Sequence, residues 1–165
     1  MRKLPEAVYH ALQTLWVGGL WVVGYVVAPV LFANLGDRQL AGVVAGKLFA
    51  LIGWIGLGCA AYLLSFLAWR WRRAVFRQAG WWLVVAMAAL AAISLFGIQP
   101  LMLQLKAEAW PRDVMETALR DRFALWHGVS SVLYLLQSLL GLILVTGFRV
   151  QGSVNSCAPK ARKSD

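Results

Sequence analysis

Acidic side chains are scarce in this chain: seven Asp and Glu stand against sixteen Lys and Arg in 165 residues. None of the seven lies deep in an apolar run, so paired intramembrane carboxylates are absent. Histidine and cysteine are scarcer still, with two of each. Cys59 stands mid-way along an apolar run and Cys157 in a polar tail, so the two cannot meet, and no CxxC or metal-type Cys/His spacing occurs. A nucleotide-binding loop, G-x-S-x-G and H-E-x-x-H are all missing. Ser130 or Ser131 beside His127 is not a nucleophile pair on spacing alone. The expectation leans away from an enzyme.

What is abundant is apolar surface. Hydrophobic residues make up 61% of the chain, charged ones 14%, and the mean hydropathy is +0.67. A soluble domain of this length would leave much of that surface in water. The net charge of +9 is not spread over a polar fold: the basic residues sit in the gaps between apolar runs. That pattern is membrane topology rather than nucleic-acid binding. The N-terminus has basic residues ahead of an apolar run, as a signal peptide does. The run continues to Phe32 without a cleavage site, which reads as a first span that stays.

Four spans follow from the runs, each long enough for a bilayer that ~20 apolar residues can cross. They cover about Ala7 to Ala33, Leu40 to Trp69, Trp81 to Leu105 and Asp121 to Phe148. The expected fold is an all-α bundle of four transmembrane helices over 1–148, with 149–165 a basic, disordered tail in the cytoplasm. Arg2, Lys3, Arg70, Arg72, Arg73, Arg77 and the basic tail lie on one side, almost without acids. Arg38, Lys106, Arg112, Arg120 and Arg122 lie on the other, nearly balanced by Asp37, Glu108, Asp113, Glu116 and Asp121. The positive-inside rule then places both termini in the cytoplasm of a bacterial inner membrane. Between spans three and four, Trp110-Pro111 opens a short amphipathic helix with i,i+4 pairs Arg112–Glu116 and Glu116–Arg120. Pro29 and Pro100 near the ends of spans one and three, with Asp37-Arg38 and Asp121-Arg122 ahead of two and four, trace a weak parallel repeat of a two-helix unit.

The fourth span carries the clearest functional pattern. His127, Ser131, Tyr134, Ser138 and Gly141 fall on one helical face, a polar seam that needs a bundle interior or a wet cavity as its partner. The bland alternative for His127 is a histidine hydrogen-bonded between helices. Gly42, Gly46, Gly53 and Gly56 form a second one-face pattern, a helix-packing seam at which Gly46→Leu is expected to disrupt the bundle. Lys47 either snorkels to the outer surface or lines an outer vestibule with Gln99, Gln104, Arg122 and His127. Span one places His10, Thr14, Trp21 and Tyr25 near one face. His10 lies near the inner surface and His127 near the outer, roughly 25 Å apart in a hydrocarbon core of ~30 Å. Such a pair does not suit the two axial ligands of one haem, or one metal ion.

The segments LWVGGLWVVGYVVAPVLF, DRQLAGVVAGKLF and RFALWHGVSSVLYLLQSLLGL resemble the bacterial domain-of-unknown-function family 4149, over roughly Leu4 to Thr146. That family is similar to the animal transmembrane protein 205. More distantly it looks akin to the CopD copper-resistance domain and to HemJ, a haem-dependent oxidase. The resemblance implies a four-helix inner-membrane protein without an established activity. The distant group implies a functional histidine early in the first helix, with His10 at the matching position, and hence haem or copper. Three readings of function stand open. One is binding or passage of a small solute or metal ion along the seam, with His127, Ser131, Tyr134, Lys47, Gln99 and Arg122 as its residues. The second is a haem or copper redox protein. The third is a structural or assembly subunit. The expected partners are the lipid bilayer and a second copy of the chain.

Overall fold

A computed structural model describes residues 3–109, 115 and 118–156. Every regular element among them is helical, and four helical stretches are long and apolar enough to cross a membrane: Leu4–Asn34, Arg38–Arg77, Ala79–Ala109 and Arg120–Gly147. The first comprises α1 (Lys3–Val22), a π-helical turn (Val23–Val27) and α2 (Ala28–Asn34). The second is α3 (Arg38–Trp71) followed by a 3-10 turn (Arg72–Arg77). The third comprises α4 (Ala79–Ala92), a π-helical turn (Ile93–Ile98) and α5 (Gln99–Ala109), and the fourth is α6 (Arg120–Ser156).

The two π turns have a common cause. Each ends two residues before a proline, Pro29 or Pro100. Proline has no N–H, and its ring crowds the carbonyl four residues earlier, here that of Tyr25 or Phe96. Widening the helix by one residue per turn relieves the clash without breaking the span. Spans one and three thus share a distortion at the prolines that mark the sequence repeat.

Between α2 and α3 the turn is held by Asp37, whose Oδ1 accepts from the Gln39 amide at 2.8 Å and the Leu40 amide at 3.2 Å. Such a cap contributes about 1 kcal/mol to a helix start. At the other end of α3, Arg72 takes φ 48°, a half of conformational space that side chains other than glycine avoid. The short amphipathic helix expected from Trp110 lies largely outside the described residues. So do its Arg112–Glu116 and Glu116–Arg120 pairs. Ala118 and Leu119 form a turn into α6. α6 itself runs on past Phe148 to Ser156, and 157–165 lie outside the described residues.

In the bundle α1 packs on α3 and α6, and α4 packs on α3 and α6. Trp16, Leu63, Val84, Met87 and Leu144 are its largest fully buried apolar side chains. All belong to one cluster, which also takes in Tyr9, Leu67 and Val75 and therefore occupies the half of the bundle nearer the N-terminus and the arginine turn. The other half is looser. No residue of Val23–Asn34 is buried, and none of 120–136 is. There α2 lies on α3 and α5 on α6, while among the described residues α2 and α6 share no comparable contact. At that end α3 and α5 still bury Ala41, Ala45, Leu105 and Ala109, so the parting lies between α2 and α6.

Candidate functional site

The parting begins at Tyr134. Its hydroxyl donates to the carbonyl of Leu20 on α1, and its ring lies against Gly24 so closely that a Cβ there would enter it. In an ordinary helix the Leu20 carbonyl would accept from the Gly24 amide, four residues on. The Tyr134 hydroxyl sits at that rung, just where the π turn begins, and the Gly24 amide lies beside it. A side chain inserted into the backbone ladder is a recognised origin of such a distortion. Phe49 of α3 meets the Tyr134 ring edge-on at 5.1 Å, and Tyr25 lies 6.3 Å away. These rings form the floor of the open half.

The polar seam of α6 divides at this floor. On the closed side Ser138 is buried, donating to the Tyr134 carbonyl at 2.9 Å, and Gly141 is buried against Val17 and Met87. On the open side His127 and Ser131 are exposed. The Ser131 hydroxyl donates to the His127 carbonyl at 2.9 Å, within its own helix. Two further polar groups enter the core. Gln13 is buried and donates Nε2 to the Leu144 carbonyl at 2.7 Å, joining α1 to α6; Gln137 is buried as well. Sequence periodicity passed over both. The face of α1 it singled out, His10, Thr14, Trp21 and Tyr25, is exposed along its length. The inward face is Tyr9, Gln13, Trp16, Val17 and Leu20. The available signal was the spacing of Gln13 between Tyr9 and Trp16, i+4 and then i+3, on an aromatic-rich stripe.

At the open end the charged group drawn inward is Lys106 of α5. Its ammonium donates to the Gly42 carbonyl at 2.9 Å and lies 5.8 Å from the Phe123 ring centre. Phe123 in turn stacks in parallel on His127 at 6.0 Å. A cation, a phenyl ring and an imidazole thus follow one another across the α5–α6 junction. Beside them an open cavity of about 600 Å³ is lined by Asp37, Gln39, Leu40, Val43, Lys106 and Ala107. Of the outer residues expected from sequence, Lys47 and Arg122 are exposed and Gln99 is half-buried. None of these three lines the cavity; Lys106 takes the place expected for Lys47.

The glycines of α3 do not share one partner. A Cβ on Gly42 would lie 3.4 Å from the Lys106 ammonium, and one on Gly53 3.3 Å from Leu95. One on Gly56 would enter the indole of Trp16, whereas one on Gly46 would meet nothing within 4 Å. The disruption expected at Gly46 therefore moves to Gly56. His10, on α1, stands edge-on to Tyr9 with ring centres 5.4 Å apart, near the closed end of the bundle. Among the described residues no three His, Cys, Asp or Glu side chains come together as a metal-ligand set.

Four apolar helical spans packed as a bundle define the class, a multi-pass helical membrane protein. The chain belongs to the family described as "Domain of unknown function (DUF4149)", whose model matches residues 11–111. The match takes in Lys106 and most of the first three spans, and α6 follows it. No curated protein and no solved structure matches the chain.

Proposed function

We propose that this is a non-enzymatic inner-membrane protein, with both termini cytoplasmic, that binds a small anionic solute at its outer, parted end. The observation that carries the reading is the cavity of about 600 Å³ beside Lys106, whose ammonium is held in place by Gly42 and faced by Phe123. A partly buried, anchored cation is worth more to an anion than an exposed one, because less water screens it. The seam below the floor favours binding over passage. The polar side chains of Gln13, Tyr134 and Ser138 bond the backbone carbonyls of Leu144, Leu20 and Tyr134, which uses them as joints between and along helices. In lipid such bonds average about 0.6 kcal/mol, with a maximum near 1.7. Of the residues expected from sequence, His127 reaches this site only through its stack on Phe123, and Ser131, Tyr134, Arg122, Lys47 and Gln99 are not among those that line the cavity.

The test is thermal unfolding of the purified full chain in detergent, with inorganic phosphate, sulfate and acetate as probes. A ligand at a hundred times its Kd stabilises by about 2.7 kcal/mol. At least one anion is expected to raise the melting temperature of the wild type, and Lys106→Gln to remove that rise. A rise retained in Lys106→Gln, or none with any anion, contradicts the reading.

An assembly role is a second reading, favoured by one observation: His127 and Ser131 stand exposed on α6 among exposed Leu125, Val132 and Leu135. A second copy of the chain packed there would give the His127 imidazole a hydrogen-bonding partner that lipid does not. The haem or copper reading rests on the resemblance to the wider group and on His10. A Soret band or stoichiometric copper in the native purified protein would revive it.

A further inference from the structure

A second cavity, at the opposite end of the bundle, is not used by the reading above. About 140 Å³ in volume, it lies between the start of α1 and the end of α3, lined chiefly by Glu6, Tyr9, His10, Phe66, Arg70 and Trp71. Tyr9 is its buried wall, edge-on to His10 and 5.2 Å from the Phe66 ring. The Arg70 guanidinium lies 5.6 Å from the Trp71 ring centre, which props it at the rim. Glu6 and Arg70 carry opposite charges around this one small space, yet among the described residues no ion pair joins them. The cavity lies where span one begins and span two ends, and the ends of bilayer-crossing helices lie near lipid headgroups. Trp69, Trp71 and Trp82 are exposed at the same end, as interfacial tryptophans are. Arg72, in its strained conformation, opens the turn that carries Arg73 and Arg77.

A ligand complementary to these walls brings a negative group to Arg70 and a positive one to Glu6, with aromatic faces beside the cation. A purely anionic headgroup satisfies Arg70 and sets its charge against Glu6. A quaternary ammonium has no N–H to donate to the carboxylate. We propose that the cavity binds the headgroup of an ethanolamine phospholipid, its phosphate on Arg70 and His10 and its primary ammonium on Glu6 beside the Tyr9–Phe66 pair. The site would fix the closed end of the bundle against the inner leaflet.

Native mass spectrometry of the full chain, with ethanolamine, glycerol and choline phospholipids of matched acyl chains, tests this. The wild type is expected to retain the ethanolamine lipid about tenfold better than either of the others, one charge-assisted contact's worth. Arg70→Gln is expected to lose retention of all three. Glu6→Gln is expected to keep binding but lose the preference over the glycerol lipid. Both residues are exposed, and circular dichroism of each variant checks that the helices persist. Equal retention of the glycerol lipid by the wild type, or an unchanged preference in Glu6→Gln, overturns the proposal. Water-soluble phosphoethanolamine is expected to compete only in large excess. Tight binding of it with no lipid retained would assign the site to a soluble compound and overturn the lipid assignment.

Discussion

Gly56→Leu leaves little folded protein to recover, and Gly56→Ala already lowers the unfolding temperature. The Cβ of either would enter the Trp16 indole, which is fully buried and has no free end to swing away. Overpacking of this kind costs about 1–3 kcal/mol and occasionally more. Removing a glycine from a helix interior returns about 0.8–1.0 kcal/mol of propensity. At Gly56 the clash outweighs that gain. At Gly46, where a Cβ meets open space, only the gain remains, so Gly46→Ala is neutral or stabilising. Unfolding of the two alanine variants in detergent checks the pair; equal stabilities contradict the packing described.

Trp16→Ala has the second large effect. In water-soluble cores, Trp→Ala substitutions cost about 3–5 kcal/mol, part of it transfer of apolar surface and part the cavity left behind. Between helices in lipid the transfer part falls away, since acyl chains are as apolar as the core. The lost dispersion contacts remain, so the cost approaches that range from below. One term runs the other way: among the described residues the buried Trp16 Nε1 has no acceptor, and its removal relieves an unsatisfied donor. Because Gly56 faces Trp16, Trp16→Ala combined with Gly56→Leu is expected to be more stable than Gly56→Leu alone. Additive losses would show that the two positions do not share one space.

Much of the architecture was legible. Runs of apolar residues longer than a bilayer needs, broken by Asn34–Asp37, the arginine turn and the mixed-charge segment after Lys106, can form little else. Which face of each helix turns inward was harder to read. In water the apolar face goes in, but in lipid both faces are apolar, so periodicity marks a face without giving its direction. That is why spacing on α1 picks out His10, Thr14, Trp21 and Tyr25, while Gln13 and Trp16 form its packed side. The seam of α6 is continuous in sequence because its spacing is regular. The divide at Tyr134 depends on the parting of α2 from α6, and helical spacing has no term for that. Lys106 closes an apolar run and in sequence resembles loop charge, whereas the π turn and Pro100 precede the stretch on which it meets Gly42.

The central claim is that the interior below Tyr134 is dry and jointed, and that solute reaches only the parted end. Substituted-cysteine accessibility tests it most directly, in a chain carrying Cys59→Ala and Cys157→Ser, in sealed vesicles, with a water-soluble thiol reagent. The account predicts that Gln39→Cys and Ala107→Cys react quickly, while Gln137→Cys and Ser138→Cys stay protected until the bundle is unfolded. Reactivity running unbroken from Ser131→Cys through Tyr134→Cys to Ser138→Cys would reveal a water-filled path and contradict it.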